Sequence, residues 1–212
     1  MSQVAGLAAQ GTPVPPSVDY LNNSFKDKPS VDVLTDIGLA ELFKNVAFGV
    51  VSNAVTALNK ENNWNNCSIM LVEAAKAHSR CFVMSEFSQG VANSRVSDRL
   101  RHILSNLFQL MAVTWILQEP SKFLRFANLE FSHLDQLVQR RNHLLSAIRP
   151  LAIPLVDSFD FRDEVLRSTL GCWDGWVYHR LFQAAAKTPL NTAKEIPEGL
   201  REQLRIRNQS KL

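Results

Sequence analysis

Apolar residues recur every three or four positions over most of the chain and nowhere alternate over a useful length, so the pattern predicts helices without strands. Ser30 and Asp32 are suited to cap a first helix running to about Asn59, along which Val33, Ile37, Ala40, Ala47 and Val50 recur. The Asn-rich stretch Lys60–Asn66 favours turns, because the Asn side chain competes for backbone hydrogen bonds. A second helix from about Ser68 to Gly90 then offers Leu71, Ala74, Ala75, His78, Cys81, Phe82 and Ser85 as its buried stripe. The clearest helix follows a cap at Ser97, with Leu100, Ile103, Leu104, Leu107, Phe108, Met111 and Trp115 in register, and Pro120 marks its end. A fourth helix from about Glu130 to Arg149 aligns Leu134, Leu137, Val138, Leu144, Leu145 and Ile148, with Arg140 and Arg141 interrupting the stripe. Pro150 and Pro154 end or kink it. Short helices near Asp160–Leu170 and Gly175–Lys187, broken at Gly171, complete an all-α antiparallel helical bundle.

Residues 1–30 differ from this pattern. Gly6, Gly11, Pro13, Pro15, Pro16 and Pro29 stand among small polar residues, which makes the segment an irregular, linker-like lead-in. The helical domain is assigned to residues 31–207, and residues 208–212 form an exposed tail.

Composition adds boundaries rather than a function. With 212 residues, 46% of them hydrophobic, the chain is expected to hold a packed core. A net charge of +3, with basic residues dispersed among acidic ones, does not call for nucleic acid or an anionic membrane. No apolar run approaches the roughly 18–20 residues of a membrane span. Cys67, Cys81 and Cys172 are too few and too far apart for a secreted disulfide framework and read as reduced thiols.

Few residues offer chemistry. His78 and Cys81 lie one helical turn apart, with Cys67 and Glu73 nearby, but a structural zinc site needs four ligands in recognisable pairs and no second pair exists. No metal site is therefore assigned, and His78 is expected to be a hydrogen-bonded interface residue. His102, His133, His143 and His179 are scattered and lack a nucleophile at a recognisable signature. Gly171 and Gly175 make no phosphate-binding loop, and Arg201, Arg205, Arg207 and Lys211 read as a solvated helix end. The last three residues, Ser210, Lys211 and Leu212, spell the C-terminal address read by the peroxisomal import receptor, which places the protein in the peroxisome matrix.

Several stretches carry a specific likeness. Leu155-Val-Asp-Ser-Phe-Asp-Phe161, Leu170-Gly-Cys-Trp-Asp-Gly-Trp-Val-Tyr-His-Arg-Leu-Phe182, Lys187-Thr-Pro-Leu-Asn191 and the terminal Ser-Lys-Leu occur in this order. Together they resemble the closing segment of peroxisomal acyl-CoA oxidases, which typically reads L-V-D-A-F-D-F, L-G-x-Y-D-G-N-V-Y-E-x-L-F and K-x-S-P-L-N before the targeting tripeptide. Residues 33–148, including Glu73-Ala-Ala-Lys-Ala-His78, resemble that family's C-terminal helical domain in helix order.

The resemblance implies FAD-dependent oxidation of fatty acyl-CoA to the trans-2-enoyl-CoA in β-oxidation, with release of hydrogen peroxide. That reaction needs a carboxylate to take the α-proton in a water-poor site while the flavin accepts hydride. In the family the base is a glutamate in an F-E-G segment preceding this domain, and other domains hold the flavin. Glu61-Asn62 is only a superficial echo, so no catalytic residue is assigned and this chain alone is not expected to retain FAD or bind fatty acyl-CoA productively. The resemblance also implies a homodimer, or association with acyl-CoA oxidase subunits. Asp174, Gly175 and Tyr178 match the family's D-G-x-V-Y motif and are expected to be structural: a cap, a turn and an anchor. Trp173, Trp176 and His179 depart from the family's Tyr, Asn and Glu. The alternative is a free-standing, non-catalytic peroxisomal dimerisation or interaction module.

Overall fold

A computed structural model describes residues 14–22, 35–192, 199–200 and 202. All regular elements among them are helical: α1 (Asp36–Glu61), α2 (Ser68–Asn93), α3 (Asp98–Gln118), α4 (Pro120–Phe126), α5 (Phe131–Ile148), α6 (Ala152–Asp157), α7 (Asp163–Leu166), α8 (Val177–Ala186) and α9 (Pro189–Thr192). Short 3-10 turns lie at Pro16–Asn22 and Arg149–Leu151. The chain divides into two compact units, Met1–Pro150 and Leu151–Leu212, at the proline that closes the fourth helix of the sequence pattern.

Local chemistry sets the helix ends in the first unit. Thr35 caps α1, its Oγ1 accepting from the Gly38 amide at 3.1 Å. The expected caps Ser30 and Asp32 lie outside the described residues. At the other end Asn62 takes the left-handed conformation (φ 45°) and its amide reaches the Leu58 carbonyl, closing α1 where the Asn-rich stretch begins. Asn63 Oδ1 then accepts from the Asn65 amide at 2.9 Å, an Asx turn that reverses the chain into α2. Ser97 caps α3 through the Leu100 amide. Arg101 donates to the carbonyls of Val91, Ala92 and Ser94, satisfying oxygens that the end of α2 leaves open. Pro120 not only follows α3 but opens α4, since a missing N–H is harmless in a first helical turn.

α1 packs against α2, α3 and α4, and α3 packs against α2 and α5. Their shared core holds Leu39, Leu42, Phe43, Val51, Met84, Phe108, Val113, Ile116, Phe123 and Leu137. Edge-to-face ring pairs, Phe43 with Phe123 and Phe87 with Phe108, add directional contacts to this burial. By length and composition alone α3 could cross a membrane. Its Phe108, Ala112, Val113 and Ile116 are fully buried in this core and its Gln109 joins a polar network, which is the environment of a core helix.

Three expectations need correction. The stripe that α2 buries is Ala74, Ala77, Cys81, Met84 and Val91, whereas Ala75 and Phe82 face outward. Val138 and Leu145 of α5 are likewise exposed. The lead-in is not wholly irregular: Pro16–Asn22 forms a 3-10 turn that inserts Val18, Tyr20 and Leu21 into the core, because three well-spaced apolar side chains outweigh the local proline bias.

Candidate functional site

Two polar constellations and one apolar surface concentrate the chemistry of the chain. The first joins α2 to the α3–α4 junction. Glu73 Oε1 accepts from Lys76 at 2.9 Å, and Glu73 Oε2 accepts from Lys122. Lys122 also reaches Glu119 at 2.7 Å, and Arg80 meets the same Glu119 oxygen at 3.0 Å. The Arg80 guanidinium lies over the Trp115 ring, 5.4 Å from its centroid. The hydrogen bonds from Lys122 and then Lys76 hold the Glu73 carboxyl down at about 2, against an ordinary value near 4.5. The Glu119 carboxyl is lowered for the same reason, with Lys122 as the largest cause.

A lowered carboxylate stabilises the fold above its unfolded-state pKa, and that contribution is lost as pH falls through the folded value. Glu73→Gln is therefore expected to cost about 1 kcal/mol near neutrality, because a third of the Glu73 side chain is exposed and solvent screens the network. The difference between the two proteins should shrink as pH falls from about 4.5 towards 2. Urea unfolding across that window checks both the size and the sign.

His78 is half-buried and shares a hydrogen bond of 3.0 Å with the Tyr20 hydroxyl, which ties the lead-in to α2. Burial lowers the His78 pKa and raises that of Tyr20, and it pushes the neighbouring Cys81 thiol up to about 11. A neutral thiol beside a hydrogen-bonded imidazole is a packing arrangement. Among the described residues no three His, Cys, Asp or Glu side chains converge as a metal site.

The second constellation lies wholly within Leu151–Leu212. Asp174 Oδ2 accepts from Arg180 Nε at 3.0 Å and Nη2 at 2.7 Å, and Arg180 also reaches Asp163 at 3.3 Å. Asp174 Oδ1 accepts from the Trp176 amide at 3.0 Å, and Gly175 between them has φ +71°, a conformation that favours glycine. Asp174 thus braces the turn into α8 through Arg180, whereas Trp176 occupies the cap position itself. Tyr178, the expected anchor, is 80% exposed. Arg180 and Asp163 are not recognisable from sequence as partners of Asp174, because the three lie on different elements that only the turn at Gly175 brings together.

Around this brace Phe159, Phe161, Trp173, Trp176, Tyr178 and Phe182 are all exposed. No described residue of the Leu151–Leu212 unit is buried. Phe159 and Phe161 stack on each other, their centroids 6.1 Å apart.

The acidic cleft of the Leu151–Leu212 unit does not suit the diphosphate of a flavin dinucleotide. A cleft of about 800 Å³ beside Phe159, Phe161 and Trp173 carries Asp157, Asp160, Asp163 and Glu164 against the single Arg162. A diphosphate needs the opposite balance. Ser210, Lys211 and Leu212 lie outside the described residues.

Comparison with known proteins agrees with the quoted motifs. The model of the family "Acyl-CoA oxidase" matches residues 36–206. Peroxisomal acyl-coenzyme A oxidase 1 of Phascolarctos cinereus is 37% identical over 184 residues, covering 82% of this chain and 27% of that protein. Acyl-CoA oxidase-2 of Caenorhabditis elegans, solved with FAD, ascaroside-CoA and ATP, superposes with a TM-score of 0.80 at 28% identity, covering 100% of this chain and 32% of that one. Arabidopsis thaliana acyl-CoA oxidase 1 gives a TM-score of 0.80 at 26% identity, covering 100% of this chain and 34% of that one. The chain therefore spans between about a quarter and a third of the length of these relatives. A match that runs from the start of α1 to beyond α9, in sequence as in fold, leaves one assignment: this chain belongs to the acyl-CoA oxidase family.

Proposed function

We propose that these residues are the C-terminal helical part of an acyl-CoA oxidase of peroxisomal fatty acid β-oxidation, and that alone they supply an interface rather than the chemistry. The import receptor reads Ser210, Lys211 and Leu212 and delivers the protein to the peroxisome matrix. One observation supports the non-catalytic reading most directly. Among the described residues, every carboxylate with a clearly shifted acidity, Glu73, Glu119 and Asp174, is pushed down by a neighbouring cation. A base that takes an α-proton near neutral pH needs the opposite shift, produced by burial away from cations.

The exposed aromatic surface of Leu151–Leu212 supports the interface. A segment in which no described residue is buried gains little from a core of its own to offset its ordering entropy, and contact with a partner surface would supply the rest. In this reading the partner is a second copy or another acyl-CoA oxidase subunit, and FAD and fatty acyl-CoA bind only in the complete enzyme. The purified 212-residue chain should be colourless, should release no peroxide from acyl-CoA when FAD is added, and should sediment as a dimer. Trp173→Ser with Phe182→Ser should shift it to monomer. Flavin-dependent peroxide release by the chain alone would overturn the non-catalytic reading, and a monomeric parent chain would overturn the interface.

A further inference from the structure

Between α1, α2 and α4, within the first compact unit, lies an open cavity of about 290 Å³. Its apolar wall is made by Val50, Ile69, Met70 and Phe126. Ile69 is 80% exposed and Met70 40%, so this wall faces solvent rather than the core. Gly49 helps to shape it. A Cβ there would fall 2.3 Å from Phe126 Cδ1, so the absent side chain is what lets the Phe126 ring lie against α1.

The polar groups of the cavity are unevenly compensated. Both oxygens of Glu73 are already engaged, one by Lys76 and one by Lys122, and Lys122 is shared with Glu119. With Arg80, this network sets three cations against two carboxylates before Arg125 is counted. Arg125 lines the same cavity and makes no ion pair among the described residues. Its guanidinium stacks over the Phe126 ring, 4.9 Å from the centroid. Stacking fixes the plane of a guanidinium while leaving its N–H edge free for the bidentate grip that suits a carboxylate.

We propose that this cavity binds an amphipathic carboxylate of medium chain length, its alkyl chain against Ile69, Met70 and Phe126 and its head on Arg125. Among the described residues, Arg125 is the one cation of the cavity without an ion pair, which suits a monoanion, whereas a phosphate dianion would need a second that Lys122, already shared by two carboxylates, does not supply. The volume lies just below the roughly 300–1,000 Å³ typical of ligand pockets, which suits a small ligand. At about 30 Å³ per water-sized group it accommodates about ten such groups. The site requires neither flavin nor self-association, so it stands or falls separately from the proposed function.

Decanoate is the probe, with decyltrimethylammonium as a ligand of the same chain and opposite head charge, each titrated calorimetrically into the 212-residue chain below its micelle concentration. Decanoate should bind saturably at one site per chain, and the cation should bind at least about tenfold more weakly. Arg125→Ala should weaken decanoate about tenfold by removing its charge-assisted hydrogen bonds. Met70→Ser should weaken decanoate through lost apolar contact while leaving its preference over the cation intact. Both substitutions are at solvent-facing positions, and unchanged thermal unfolding would confirm that the fold persists. Absence of saturable decanoate binding, equal binding of the cation, or an unchanged affinity in Arg125→Ala would overturn the proposal.

Discussion

Phe108→Ala is expected to lower the stability of the first unit by about 3–5 kcal/mol, the largest loss from any single truncation considered for this chain. Phe108 is fully buried on α3, and its ring meets Phe87 of α2 edge-to-face with centroids 5.6 Å apart. Truncation removes that pair and the transfer energy of a whole ring, and it leaves a cavity beside Phe87 in the shared core that rigid helices close only in part. Equilibrium urea unfolding, followed by far-ultraviolet circular dichroism, measures the loss as a shift in midpoint at constant slope. A loss below about 1 kcal/mol would show that the core relaxes around the site, contrary to the close packing described.

Gln109→Leu is the second large effect, expected to cost about 1–3 kcal/mol although it adds apolar surface to a buried position. Gln109 is 7% exposed and joins three helices. Its Nε2 donates to Asp36 Oδ1 at 2.6 Å, and its Oε1 accepts from Arg140 Nε at 3.0 Å and from Arg140 Nη2. Ser105 donates to the other Asp36 oxygen at 2.6 Å. Leucine fills the volume but leaves Arg140 and half of Asp36 without partners, and the desolvation of unpaired polar groups outweighs the transfer gain. Because the groups act as one network, Gln109→Leu and Arg140→Ala should together cost less than the sum of the single changes. Strict additivity in the double-mutant cycle would mean that the two side chains do not interact energetically.

The same two residues show how far a sequence can be read. Phe108 falls on the apolar stripe of α3 and is recognisable from spacing alone. Gln109, one position on, is not singled out by that spacing. Only the approach of Asp36 from the start of α1 and Arg140 from α5 makes it a buried hub, and those partners lie 73 and 31 positions away in the chain. Arg140 illustrates the converse. It reads as an interruption of the α5 stripe, and the structure gives the interruption a partner inside the protein.

The candidate sites divide in the same way. The motif around Asp174 is legible because it is contiguous, and its turn follows from Gly175. The brace that holds it, Arg180 to Asp174 and Asp163, depends on a chain reversal that has no periodic signature. The cavity beside Arg125 has no sequence signature at all. It is assembled from three helices and from the close approach of Phe126 to Gly49.

By itself the sequence determined the all-α class, the approximate extent of the long helices, the turn at the Asn-rich stretch and the family likeness, because helical period, capping and short motifs are local properties. α5, for example, runs over Phe131–Ile148 where the pattern predicts about Glu130–Arg149. Tertiary structure decided which side of each stripe is buried: Ala77 and Met84 turn inward on α2 while Ala75 and Phe82 do not. It also decided that the lead-in contributes Tyr20 to the core, that Pro120 begins a helix, and that the last unit keeps its aromatic residues on the surface. The physical reason is common to all of these. Periodicity fixes which residues share a face, but burial depends on which neighbour arrives to cover that face, and the neighbour is specified by distant parts of the chain.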